Sequence, residues 1–486
     1  MSFPLCKRIV FRYNNYPIAP TLYSITALNN LEQKGKIMGD QLTKKYGLPT
    51  AIAMVIGIVI GSGIFFKAEK ILTATGGDLK IGILAWLLGG CIAIASACAF
   101  AVMATRYEKV GGVVDYAEAT VGEGYAYYLG WFMAAVYFPC LTSTLCWVSA
   151  RYTCVLLGYD ILSGPCLAIT MLYMALVYFM NATAPKLAGK FQISLTVIKL
   201  VPILLMAVIG TVAGLRSGLI VENFTAAAVI DAVDNPLFAA LAATSFAYEG
   251  WVIATTINAE IKNAKRNLPL ALVFGVGAIM LIYLFYYVGI AGAVPNAVMM
   301  ENGEQGARIA FSTIFGPVAG TGLFVFVVLS CLGTCNGLMM ACTRGFYSIA
   351  ARGRGPKAEL LSQVDRYTNM PNNAASAGLV MCAFWCCYFY FGTLLNELGP
   401  FRFDSSELPV ITLYAMYIPI YLLFMKKAKD EHPLRRFLLP ALALCGAVFM
   451  ILAAVFSYKM DCFYYLLVYA AAMVLGWLLD RRNKKA

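Results

Sequence analysis

Residues 48–67, LPTAIAMVIGIVIGSGIFFK, form an apolar run as long as a membrane crossing, interrupted in its second half by Gly61-Ser62-Gly63. A helix needs roughly 20 mainly apolar residues to cross the hydrocarbon core, and each interior glycine weakens it by about 1 kcal/mol relative to alanine. Taken alone, these glycines read equally well as a small-residue face for close helix packing, because Gly57 and Gly61 have the GxxxG spacing. A second run, residues 236–257, PLFAALAATSFAYEGWVIATTI, carries its own interruption, Phe246-Ala247-Tyr248-Glu249-Gly250-Trp251. Glu249 is an ionisable group at membrane depth, which costs about 2.5–3.5 kcal/mol on insertion scales and is functional by default. The bland alternative is a glutamate satisfied by a neighbouring helix for structure alone.

Outward from these two runs, the whole chain has the same character. Of its 486 residues 61% are hydrophobic and 13% charged, with a mean hydropathy of +0.74; a soluble domain carries about 25% charged residues. The composition defines an all-α polytopic membrane protein. Isolated strands would leave their backbone groups unsatisfied in lipid, and the runs are too long and too uniformly apolar for an outer-membrane barrel. Twelve runs read as spans: 48–67, 81–105, 124–157, 161–181, 191–215, 236–257, 268–294, 318–350, 374–395, 408–425, 437–458 and 462–479. Ahead of them lies a polar tail, 1–46. Spans one to ten form a core over 47–426, and 427–486 holds two peripheral spans and a basic end.

The two interruptions fall in spans one and six, the same place in two successive five-span halves. Paired broken helices in matching positions point to an inverted-repeat transporter and to its substrate site. The physical reason is direct: a broken helix exposes N–H groups that attract an anion at one end and carbonyls that attract a cation at the other. A zwitterionic amino acid carries both charges on one carbon. A third outlier, Lys199 in span five, reads as the one basic residue deep in the membrane. Snorkelling is strained at that depth, so its ammonium is a candidate for a permanent charge at a cation site.

Several function classes are excluded or weakened. The net charge of +12 sits in short loops without a basic stripe, which argues against nucleic acid. Assuming that the N-terminus is cytoplasmic, roughly three quarters of the 37 Lys and Arg fall in cytoplasmic loops, the bias expected of short loops. That places both termini in the cytoplasm and the protein in the cell membrane. The 15 cysteines are odd in number and many lie within spans (Cys91, Cys98, Cys140, Cys146, Cys331, Cys335, Cys342), so they read as small packing residues. The single histidine, His432, is in a charged loop, and neither a metal nor another cofactor is expected. In the tail, Lys34-Gly35-Lys36-Ile37 implies purine-rich codons ahead of Met38. Residues 1–37 therefore read either as an N-terminal tail or as a translated ribosome-binding region before the true start.

With these motifs in place the chain resembles the amino acid–polyamine–organocation (APC) superfamily, and within it the bacterial relatives of the L-type amino acid transporters. The resemblance rests on Gly61-Ser62-Gly63-Ile64-Phe65, Gly111-Gly112 with Tyr116, Lys199, and Phe246-Ala247-Tyr248-Glu249-Gly250-Trp251. It continues through Glu260-Ile261-Lys262-Asn263, Arg266-Asn267-Leu268-Pro269, Leu332-Gly333-Thr334 with Asn336-Gly337, Arg344 and Gly353. It implies the LeuT fold, two inverted five-helix repeats with discontinuous helices one and six. Ser62, Gly63 and Ile64 would then offer N–H groups to a substrate carboxylate, and the carbonyls of Val59, Phe246, Ala247 and Glu249 would receive its ammonium. Lys199 would stand in for a sodium ion. The Glu249 position varies among relatives, so side-chain specificity is not carried over.

The reading is sodium-independent amino acid transport by alternating access, as exchanger or proton-coupled symporter, with polyamine or organic-cation transport as the alternative. The expected partners are the amino acid and the bilayer; no obligate protein partner is indicated. A membrane-embedded enzyme would need paired acids, a His cluster or a nucleophile–base pair within the spans. A channel would need charge rings or repeated filter motifs. The sequence shows neither.

Overall fold

The computed structural model describes residues 47–61, 63–107, 112–226, 235–253, 255, 261–365, 367–368 and 370–483. The readings made for the tail with Met38, for Ser62, for Gly111 and for Glu260 lie outside the described residues.

Among the described residues eleven helices are long and apolar enough to cross a membrane, and a bent pair, Leu48–Val59 with Gly63–Ala74, makes a twelfth span. Span one begins on what is here termed the near face, and alternation then sets the direction of the rest. The first half-bundle is completed by Leu79–Arg106, Glu123–Leu157, Gly164–Thr183 and Ser194–Ser217. Span six, Pro236–Ile253, starts from the far face, so the second half runs inverted: Ala264–Ala291, Pro317–Ala350, Asn372–Leu394 and Leu408–Lys427. Leu434–Tyr458 and Met460–Arg482 follow as spans eleven and twelve.

The packing repeats the internal symmetry. Span one lies against spans six and seven, and span two against seven and six; span three lies along eight and nine, and span four against three and eight. Each group thus takes corresponding helices from both halves, the architecture that the two interruptions imply. Span eleven covers spans two, six and ten.

Apolar helices in lipid gain little from the hydrophobic effect between them, so small residues that let backbones approach carry the packing. Spans five and seven show this most closely. A Cβ on Gly289 would sit 2.2 Å from the Met206 carbonyl oxygen, one on Gly292 2.4 Å from that of Gly210, and one on Gly214 2.2 Å from Gly292 Cα. Span five is irregular here: Pro202 lies inside the helix, and a wide turn, Met206–Gly210, follows it.

Charge clusters finish the spans beyond their apolar runs. Span one extends to Ala74 rather than ending at residue 67, which brings Glu69 and Lys70 into it beside Lys67. Glu249 thus shares the spans with another carboxylate, Glu69, and Lys199 is not the one deep basic residue. Lys67 is fully buried, as is most of Arg151 in span three, and Asp480 is buried near the end of span twelve. At the near face Arg354 binds Asp480 at 2.7 Å, Arg352 binds Asp115, and Arg106 binds Asp430 at 2.8 Å. Pairing lets these residues sit where the sequence pattern alone reads the end of a span.

The contrast between two glycines of span seven tests the packing. Gly289→Leu is expected to lower the melting temperature of the purified protein by about 5 °C or more. Gly277→Leu, whose Cβ would meet open space, should leave it unchanged.

Candidate substrate site

Span one stops being helical at Ile60, whose ψ of 106° is extended, and restarts at Gly63 after a bend of 46°. A helix end leaves its last carbonyls without intrahelical partners, and within a bilayer core water cannot take their place. Side chains from three other spans do so. The Lys199 ammonium, 1% exposed, donates to the Gly57 carbonyl and reaches Thr334 Oγ1 at 3.4 Å. Thr334 of span eight donates in turn to the Ile60 carbonyl at 3.4 Å. The Tyr283 hydroxyl of span seven lies 3.4 Å from the Val59 carbonyl oxygen.

The second interruption meets the first. In span six the helix Pro236–Ala247 ends in a turn, and Gly250 takes φ +108°, a conformation that favours glycine. The Tyr283 hydroxyl donates also to the Ala247 carbonyl at 3.1 Å, so a single phenol ties the two breaks together. Glycine permits the close approach on both sides. A Cβ on Gly63 would lie 2.8 Å from Ala247 Cα, and one on Gly250 would lie 3.3 Å from the Ile58 carbonyl oxygen.

Between the breaks lies a cavity lined on one side by Ile58, Val59, Gly61, Gly63, Phe246, Glu249, Gly250 and Ile253. Spans three and eight close it with Leu141, Leu145, Thr334 and Leu338. Of the residues expected at the site, Val59, Gly63, Phe246 and Glu249 line this cavity. Ile64 and Ala247 are buried behind it, Ser62 lies outside the described residues, and Lys199 stands at the end of span one's first half. Gly63 opens the second half of span one, whose first turn holds no acidic side chain to occupy the free N–H groups. That end suits an anion.

Glu249 is not unpaired. The Tyr137 hydroxyl of span three donates to it, and the Gly250 N–H is also hydrogen-bonded to its carboxylate. Tyr414 and Tyr417 of span ten are close enough to feel its charge. Tyr137 ends a wide helical turn, Met133–Tyr137, two residues before Pro139. Proline has no N–H for the Ala135 carbonyl, and the Trp385 indole supplies one at 2.8 Å. The proline in an apolar run was the one sequence signal for Tyr137. Tyr283 and Thr334 had none of comparable strength, since Thr334 entered only within a family motif.

Twin broken helices enclosing a small cavity, with a buried lysine at one helix end, define a LeuT-type carrier core. Residues 46–479 match the model of the amino acid permease family, and the chain belongs to that family. It is 28% identical to the serine/threonine exchanger SteT of Bacillus subtilis over 451 residues, covering 91% of this chain and 98% of SteT. The human cystine/glutamate transporter is 25% identical over 442 residues, covering 89% of this chain and 84% of its own. The crystal structure of MhsT in complex with L-phenylalanine shares the fold. It has a TM-score of 0.57 at 14% identity and covers 89% of this chain and 100% of its own.

Tyr283→Phe removes the hydroxyl shared by both breaks while keeping the ring packed on Trp86, 5.3 Å between centroids. Transport by reconstituted protein is expected to fall about tenfold or more, since a buried carbonyl left without a donor costs about 1–3 kcal/mol. The thermal midpoint should move by only a few degrees.

Proposed function

We propose that this protein exchanges neutral amino acids across the cell membrane by alternating access, without sodium, with both termini in the cytoplasm. The observation that carries the reading is the opposition of charges at span one. A helix N-terminus at Gly63 faces the cavity, and carbonyls at the end of the preceding half-helix lie beside it. The substrate carboxylate binds the N–H groups around Gly63, and the ammonium binds carbonyls of Val59, Phe246, Ala247 and Glu249. Val59 and Ala247 already accept from Tyr283, but a carbonyl has two lone pairs and can take a second donor.

The rest of the cavity wall is mainly apolar, with Leu141, Leu145, Leu338, Ile58 and Ile253. It offers a place for an uncharged side chain. Glu249 accepts from the Tyr137 hydroxyl and the Gly250 N–H, which fixes its carboxyl beside the break in span six. Exchange as the mode of transport, and a neutral cargo, both agree with the name of the Bacillus subtilis relative, a serine/threonine exchanger. Proteoliposomes test the reading: uptake of labelled amino acid should saturate and should rise several-fold when unlabelled neutral amino acid is loaded inside. Saturable polyamine uptake without such stimulation would overturn it.

Lys199 accounts for sodium independence. Its ammonium occupies the end of a half-helix, in contact with the Gly57 carbonyl and the Thr334 hydroxyl, where a cation is needed. Replacing sodium by choline is expected to leave uptake unchanged. Lys199→Met should abolish it, because the charge is lost and the methionine cannot donate to the Gly57 carbonyl.

Glu249 holds the Tyr137 hydroxyl, and through it span three, against the break in span six. Glu249→Gln keeps the shape and removes the charge. Affinity for neutral substrates should fall less than tenfold and affinity for cationic amino acids should not improve, both measurable by thermal shift. A large selective loss of cation binding would instead make Glu249 the recognition group of a cationic cargo.

A further inference from the structure

Two sulfur atoms meet behind the cavity wall. Cys146 Sγ of span three lies 3.0 Å from Cys335 Sγ of span eight, and both residues are fully buried. Each directly follows a wall residue in the chain: Cys146 comes after Leu145, and Cys335 after Thr334. A second pair, Cys342 of span eight and Cys382 of span nine, is more widely spaced at 3.6 Å. There the Thr142 hydroxyl also stands 3.3 Å from Cys342 Sγ. The first pair is therefore both the tighter and the one joined to the cavity.

We propose that Cys146 and Cys335 are an oxidation site, at which a peroxide converts the two thiols into a disulfide that ties span three to span eight behind the cavity. Its effect on transport rests on the reading above; the cross-link does not.

The step balances with hydrogen peroxide as the oxidant. One sulfur takes an oxygen from the peroxide, the O–O bond breaks, and the other oxygen leaves as water, which gives a sulfenic acid. The second sulfur then attacks the first. The S–S bond forms as the S–O bond breaks, and the hydroxyl leaves as a second water with the remaining thiol proton. Two thiols are oxidised and one peroxide is reduced. Because the fold holds the sulfurs in contact, the second event is intramolecular and needs no diffusion of one thiol to the other. Hydrogen peroxide is uncharged and little larger than water, so it enters the cavity whenever water does.

The neighbours of the pair set the consequence. The S–S bond is shorter than the present contact by about 1 Å, so oxidation draws Cys335 toward span three and shifts Thr334 with it. The Thr334 hydroxyl meets the Ile60 carbonyl and the Lys199 ammonium at 3.4 Å each, near the long limit of a hydrogen bond. A shift of a few tenths of an ångström is felt there. It also moves Leu145 in the opposite wall. Oxidation thus alters the support of the break in span one and the shape of the cavity together.

The reconstituted protein is treated with hydrogen peroxide and digested without reduction. Mass spectrometry should find the peptide containing Cys146 joined to the one containing Cys335, and dithiothreitol should separate them. Uptake of labelled amino acid should fall roughly tenfold, the scale set by a buried carbonyl that loses its donor, and should recover with dithiothreitol. Cys335→Ala should transport at the native rate before treatment and keep that rate after it. Were the two cysteines packing residues alone, native protein and Cys335→Ala would respond to peroxide alike, and that result overturns the proposal. So does a peroxide-treated native protein in which the Cys146–Cys335 cross-link is missing or other cysteines pair instead. Should Cys335→Ala fail to fold, Cys146→Ala is read in the same way. The cross-link is mapped without any amino acid present, so its absence is distinct from a failure to find amino acid exchange.

Discussion

A carbonyl oxygen freed inside a membrane has to find a hydrogen-bond donor within the protein, because the surrounding lipid offers none. Breaking span one at Ile60 frees several at once, and the remainder of the core is arranged around supplying them. Lys199 comes from span five, Tyr283 from span seven and Thr334 from span eight. The break is thus the junction at which four spans from both halves of the molecule meet. Its position is set by their side chains as much as by its own glycines.

The same constraint makes the site polar without making it wet. Carbonyls and amides at two helix ends face a space walled mainly by leucine and isoleucine, and in the proposed function a zwitterion has both its charges matched there by backbone dipoles. Electrostatic interactions are strong in such a place because solvent does not screen them. The buried Lys199 amine stands at the rim of this arrangement, on the Gly57 carbonyl. The Glu249 carboxyl, also in the cavity wall, accepts from Tyr137 of span three.

Glycine sets how closely the parts approach. At Gly63 and Gly250 the two breaks touch backbone to backbone, and at Gly210, Gly214, Gly289 and Gly292 spans five and seven do the same. Each such contact joins a moving helix to its neighbour with little slack. A displacement of the second half of span one would be felt at once by span six through Gly63 and Ala247, and by span ten through Lys67 and Glu407.

By itself the sequence determined the membrane class, the number and order of the spans, and the two places where helices break. These follow from run length, hydropathy and glycine spacing, which are local properties. It also marked Lys199, Gly63, Phe246 and Glu249, because a charge or a glycine stands out against an apolar background. What it could not decide was partnership. Tyr283 is one among 29 tyrosines, and nothing local distinguishes a tyrosine whose hydroxyl bridges two broken helices from one that only packs. Lys67 and Glu407 lie 340 residues apart at the ends of apolar runs, where each reads as a solvated flank. Only the fold brings them together and removes water from between them, and it is that removal which turns two ordinary terminal charges into a buried pair.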